Sequence, residues 1–277
     1  MDDSDSITLN EIAVSYGSDP AALQGITFSV PAGSITAVVG INGSGKSTLF
    51  KTLMGVMKPN HGDLSICGMS VRTSMKRSLI AYVPQAEDVD WSFPILVEDL
   101  AMMGRYGHMN FFRQAKKIDR EIVAQSLERV GVSHLASRQI GELSGGQRKR
   151  VFLARALAQN GKVILLDEPF AGVDVTTEAS IIEILKDLKS KGHIILVSTH
   201  NLGSVPEFCD LAVLLKGYMI GFGPVDQVFT REKLTLAFGE SLRQFDMTRQ
   251  KNGERSIVEI LTDDERPLVM YGKDILK

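Results

Sequence analysis

The chain has 277 residues, of which 44% are hydrophobic and 23% charged, enough for one large domain or two small ones around a substantial core. A formal net charge of −2 and the lack of any basic stripe give no electrostatic case for a nucleic-acid partner. The acidic start Met1-Asp2-Asp3-Ser4-Asp5-Ser6 is unlike a signal peptide, and no apolar run approaches the roughly 20 residues of a membrane span, so a cytoplasmic chain is expected.

From Ile7 to Val39 short apolar runs are broken by Gly17, Pro20, Gly25 and Pro31-Ala32-Gly33, which predicts a small antiparallel sheet leading into a strand Ile35 to Val39. Directly after that strand, Gly40-Ile41-Asn42-Gly43-Ser44-Gly45-Lys46-Ser47 spells G-x-x-x-x-G-K-S. Leu49, Phe50, Leu53, Met54 and Met57 then recur at helical spacing over Thr48 to Met57. A phosphate-binding loop requires this strand-to-helix setting, and a chance glycine turn lacks it. Its glycines let backbone N–H groups turn inward, Lys46 reaches the β- and γ-phosphates, Ser47 offers a hydroxyl to Mg²⁺, and the helix start favours an anion. A nucleoside triphosphate is the expected ligand.

Further short strands are expected from Leu64 to Pro84. The pattern then turns helical from Val97 to Val132, with Leu100, Met103, Ile122, Leu127 and Val130 in phase, as an inserted helical subdomain. Leu143-Ser144-Gly145-Gly146-Gln147 precedes a helical Arg148 to Gln159, and reads either as a second anion cradle or as a helix cap. Val163 to Leu166 is an apolar strand ending in Asp167-Glu168. Adjacent side chains diverge at a strand end, so Asp167 is read as the Mg²⁺ partner and Glu168 as the base that polarises an attacking water, the alternative being two solvated turn residues. A helical Glu178 to Ser190 and a strand Ile194 to Val197 complete a βαβ rhythm, and the core is expected to be α/β with a parallel sheet. Beyond Ser241 the sequence is polar and mixed and carries no motif. Cys67 and Cys209 stand apart as two buried reduced thiols, and His61, His108, His134, His193 and His200 lack metal-ligand spacing.

Taken together, the loop Gly40 to Ser47, Gln85 in Val83-Pro84-Gln85, Leu143 to Gln147, Asp167-Glu168 and His200 in Ser198-Thr199-His200 occur in the order found in ATP-binding cassette transporters. Over about Ile7 to Phe238 the chain resembles the ATP-binding subunit of that family. The resemblance implies a P-loop NTPase core with an antiparallel β subdomain and a helical subdomain at about 86–145, all within 1–240, and an extension of unknown role at 241–277. It implies that ATP is held by Tyr16, stacked on adenine, and by Gly40, Asn42, Gly43, Ser44, Gly45, Lys46, Ser47 and Thr48. Ser47, Gln85 and Asp167 would hold Mg²⁺, and Glu168, His200 and Gln85 would serve catalysis. Tyr16 has a plainer reading as a strand aromatic. Ser144, Gly145, Gly146 and Gln147 would close on the nucleotide of a second copy, giving a head-to-tail dimer. Asp174 in Ala171-Gly172-Val173-Asp174 would be a dimer contact, while Ala171 and Gly172 depart from the family's commonest form and stay unassigned.

Within the family, Val89 to Ile95 and Met102 to Gly107 are similar to subunits of bacterial manganese, iron and zinc importers. Trp91, Phe93 and Ile95 then either line a groove for a helix of a membrane partner or pack the helical subdomain. The resemblance implies a peripheral ATPase at the cytoplasmic face of the membrane, working with two membrane-spanning permease subunits and an external metal-binding protein. Its cargo would be manganese or iron. Zinc or iron-chelate import, a soluble cassette of translation or DNA repair, and a non-catalytic regulatory cassette are the alternatives. The absence of a second phosphate loop and of sustained heptads counts against the soluble cassette, and Lys46, Glu168 and His200 count against the regulatory one.

Overall fold

A computed structural model describes residues 5–17, 20–85, 89–239, 243–251, 254–262 and 268–271. Strands β1 (Ser6–Ser15) and β2 (Ala21–Pro31) pair antiparallel with Ile7 opposite Val30 and Leu9 opposite Phe28. Beyond β3 (Ser34–Val39) and helix α1 (Lys46–Leu53), β4 (His61–Ile66) pairs with the other side of β1, and the short β5 (Met69–Ser70) completes a four-stranded sheet in the order β2-β1-β4-β5. The chain then passes through α2 (Val71–Lys76) to β6 (Ile80–Val83), so the strands expected between Leu64 and Pro84 fall in two different sheets.

A helical region follows, with α3 (Val97–Met102), a 3₁₀ turn at Met103–His108 and α4 (Lys117–Arg129). Helix α5 (Gly145–Gln159) returns the chain to β7 (Val163–Asp167), α6 (Val175–Ser190), β8 (Ile194–Thr199), α7 (Val205–Phe208), β9 (Leu211–Leu215) and β10 (Met219–Pro224). The second sheet has six strands in the order β10-β9-β3-β8-β7-β6, parallel except for β10. Helices α8 (Val225–Val228) and α9 (Arg231–Phe238) close this part of the chain.

The parallel strands are buried along almost their whole length and mostly apolar because both faces are covered. Ile164, Leu166, Ile195 and Val197 enter one core together with residues of α5 and α6, while Val163, Leu165, Ile194 and Leu196 enter a second with α1 and the antiparallel sheet. This period-2 division fixes the register, since a slip of one residue would exchange the two cores.

Two expectations need correction. The periodicity of Thr48 to Met57 outruns α1, which ends at Leu53 because Gly55 turns to φ +70°; Met54 and Met57 still pack on the core from the turn. Val97 to Val132 is not continuously helical, since residues 109–116 link the 3₁₀ turn to α4 without helix. The tail, which carries no sequence motif, forms an antiparallel sheet of β11 (Arg243–Lys251), β12 (Glu254–Thr262) and β13 (Leu268–Tyr271).

Both cysteines are free thiols. Cys209 is buried but Cys67 only half-buried, and burial is the main cause that pushes both above the ordinary thiol range. Among the described residues no helix is long and apolar enough to cross a membrane.

Candidate functional site

Strands β3, β6, β7 and β8 are parallel, so their carboxyl ends share one edge of the sheet, the edge at which open α/β sheets bind ligands. Immediately beyond those ends lie Gly40 to Ser47, Gln85, Glu168 and His200. A cavity of about 490 Å³ there is lined by Tyr16, Asn42, Gly43, Ser44, Gly45, Lys46, Ser47, Thr48, Gln85, Asp167 and Glu168, together with Ala22.

The loop has the geometry that its glycines permit. Gly45 precedes α1 at φ +102° and Gly43 sits at φ +81°, both in the left-handed range that favours glycine. Gly40 stands behind the cavity, where a Cβ would come within 2.3 Å of the Leu215 carbonyl oxygen. No acidic residue of α1 itself occupies its first turn, so the helix start favours an anion. Lys46 Nζ donates to the Gly40 carbonyl at 2.7 Å and to the Ile41 carbonyl at 3.3 Å, and lies 3.9 Å from Glu168 Oε1. Ser44 lines the cavity, and its buried Oγ has no hydrogen-bond partner. A phosphate oxygen would satisfy that hydroxyl, so the residues present fit an anionic ligand.

The two acids diverge in their partners. Asp167 accepts from Ser198 Oγ, from the Tyr82 hydroxyl at 3.3 Å and from Ser47. Burial pushes its carboxyl above the ordinary range, with the neighbouring Glu168 charge adding to the effect and these hydrogen bonds opposing it. Glu168 faces Lys46 on one side and His200 on the other, with His200 Nδ1 2.7 Å from Oε2. The hydroxyl of Ser47 beside the carboxylate of Asp167 is an all-oxygen donor pair suited to a hard divalent cation such as Mg²⁺.

His200 reaches the site through Glu168 and does not itself line the cavity. Tyr16 does line it, 45% exposed, with its hydroxyl 3.1 Å from Thr48 Oγ1. Ser144 to Gln147 are not brought to the cavity. They open α5 with a reciprocal cap, in which Ser144 N donates to Gln147 Oε1 at 2.9 Å and Gln147 N to Ser144 Oγ at 3.4 Å. No acid lies in the first turn of α5, so this helix start also favours an anion. Asp174 caps α6, accepting from Thr177 N at 2.9 Å.

Trp91 packs edge-on against Phe152 at 5.5 Å with the Arg148 guanidinium 4.5 Å from its ring centroid, and Ile95 is packed against the core. Phe93 alone of the three is well exposed, at 58%. Sequence reasoning gave no role to Tyr82, Ser198, Lys149 or Ala22. The Tyr82 contact depends on β6 lying beside β7 with Tyr82 opposite Leu165, a pairing between segments about 80 residues apart that no local pattern reveals.

A family model described as "ABC transporter" matches residues 23–171. The chain is 52% identical over 270 residues to the chelated iron transport system membrane protein YfeB of Yersinia pestis, covering 96% of this chain and 91% of that protein. It is 54% identical over 233 residues to the manganese transport system ATP-binding protein MntA of a Synechocystis strain, covering 84% and 90%. Among solved structures, one described as a metal-chelate type ABC transporter in an inward-facing conformation superposes with a TM-score of 0.77 at 30% identity, covering 93% of this chain and 98% of that one.

Proposed function

The chain belongs to the ABC transporter family as an ATP-binding cassette, an ATPase coupled to transport, and from that premise we propose that it powers import of a divalent transition metal, manganese or iron, through a membrane permease. The observation that carries the mechanism is the single cavity at the sheet edge, which gathers the phosphate loop, Gln85 and both acids. The manganese and chelated-iron systems served by the similar proteins support the cargo.

In this reading residues 1–240 are the cassette, about 86–145 its helical subdomain and 241–277 an extension. Tyr16 stacks on adenine, and the loop from Gly40 to Thr48 wraps the phosphates. Lys46 exchanges the carbonyls it now contacts for phosphate oxygens, and in doing so releases Glu168 to act on water. His200, already bonded to Glu168, orients that carboxylate and contacts the terminal phosphate. Ser47, Asp167 and Gln85 would hold Mg²⁺, which would supply charge neutralisation on the phosphates. Ser144, Gly145, Gly146 and Gln147 of a second copy complete the site, which makes the working form a head-to-tail dimer. The permease, fed by an extracytoplasmic metal-binding protein, supplies the metal selectivity, and the cassette sits peripherally on its cytoplasmic side.

Uptake of radiolabelled manganese, iron and zinc in cells lacking this chain tests the proposal. Loss of manganese or iron uptake, restored by the parent chain but not by Glu168→Gln, is expected. Unchanged uptake of all three metals with loss of an organic solute would overturn it, and loss of zinc alone would reassign the cargo.

A further inference from the structure

The backbone of Glu168 lies at φ +50°, in the left-handed region that a side chain other than glycine keeps only when its surroundings hold it there. Two side chains do so from opposite directions. Ser198 Oγ accepts from Glu168 N at 2.9 Å. On the other side, Lys149 Nζ donates to the Glu168 carbonyl at 3.1 Å and to the carbonyl of Ala171. A single ammonium thus binds both ends of the turn 168–171.

Lys149 belongs to α5, two residues beyond Gln147, the last residue of the glycine-rich start. A 15-residue helix moves as one body. Force applied at Ser144 to Gln147 therefore reaches the Glu168 turn through a contact one helical turn away.

We propose that Lys149 is a positioning residue for Glu168, and that through it the docking of Ser144–Gln147 on the triphosphate of a second copy sets the orientation of the Glu168 carboxylate in its own site. The proposal rests on the reading of Glu168 as the water-activating base in a head-to-tail dimer. It adds a direct path by which each site reports its occupancy to the other. The coupling is reciprocal, since a shift of the Glu168 turn displaces α5 in the same way.

The full-length chain and its Lys149→Met, Lys149→Arg and Glu168→Gln variants would be compared for ATP binding, steady-state hydrolysis over a range of ATP concentrations, and Tm. Lys149→Met is expected to lower kcat by about tenfold to a hundredfold, the cost of a small misplacement of a catalytic group, while the Kd for ATP changes less than about twofold. The Hill coefficient of hydrolysis should fall from above 1 in the parent to 1, and Lys149→Arg should restore most of both quantities. A purely structural lysine would lower Tm and leave kcat and the Hill coefficient unchanged, which overturns the proposal. A parent Hill coefficient of 1 overturns the coupling. Hydrolysis at the parent rate by Glu168→Gln would instead overturn the underlying assignment of the base.

Discussion

Asp167 shows what the site costs the fold. Because burial raises its pKa, folding favours the protonated form, and the stability this residue contributes is present at acid pH and lost as the pH rises through the raised value. Above that value the parent holds a buried carboxylate, so there Asp167→Asn should raise the Tm of the ligand-free chain by about 2–4 °C while abolishing hydrolysis. The gain should shrink as the pH is lowered and the parent carboxyl neutralises; a pH-independent loss of Tm would contradict this. Tyr16 makes a different prediction. Its ring is open to the cavity and its hydroxyl is tied to Thr48. Tyr16→Phe should thus weaken ATP binding by no more than about 1 kcal/mol, while Tyr16→Ala loses about 1–3 kcal/mol of stacking. Fluorescence titration separates the two, and equal affinity of the alanine variant would make Tyr16 a structural aromatic. The residues of the loop and the acidic strand end were legible in the sequence because each motif is local. Tyr82, Ser198 and Lys149 were not, because each acts on Asp167 or Glu168 from an element brought near only by the fold.

At the level of elements, the apolar runs Val163 to Leu166 and Ile194 to Val197 announced a parallel sheet, since buried strands need no polar face. The antiparallel sheet was likewise legible from its Gly and Pro breaks. Sequence periodicity could not show where α1 ends, because Met54 and Met57 remain core residues after the backbone has left the helix. The segment Met102 to Gly107, singled out by similarity, is tightly packed in the structure. A Cβ on Gly104 would lie 2.2 Å from the Arg155 carbonyl oxygen, and Arg105 within the same turn makes a buried ion pair with Asp119 at 3.0 Å. Gly104→Ala should therefore destabilise the chain by about 1–3 kcal/mol through forced separation of this turn from α5, read as a lower denaturation midpoint at unchanged m-value. A neutral substitution would mean that the two backbones part easily. Trp91 and Phe93, treated alike in the sequence, now separate. Trp91→Ala removes a packed ring and should lower the denaturation midpoint, whereas Phe93→Ala should leave both stability and the hydrolysis rate of the isolated chain intact while weakening transport. A Phe93→Ala variant with parental uptake would remove that residue from any partner surface.

At the scale of the whole molecule, the starts of α1 and α5 both suit an anion, but the sheet-edge cavity joins only that of α1 to the acids. That separation is what the proposed second copy resolves, since the α5 start does not line the cavity of its own chain. It also explains why the S-G-G-Q element could be read from sequence in two ways: alone it is a well-made cap, and only the fold shows that the nearby nucleotide site does not use it. Glu168→Gln should keep the loop, Lys46 and the cap while slowing the step that dismantles the dimer. The account is tested most directly by sizing this variant with Mg-ATP, alone and combined with Ser144→Arg. Glu168→Gln should elute as a dimer with ATP and as a monomer without it, and Ser144→Arg should abolish the dimer while each chain still binds ATP. A Glu168→Gln chain that stays monomeric with saturating Mg-ATP, or a dimer indifferent to Ser144→Arg, would contradict the proposal that the site is completed by a second copy.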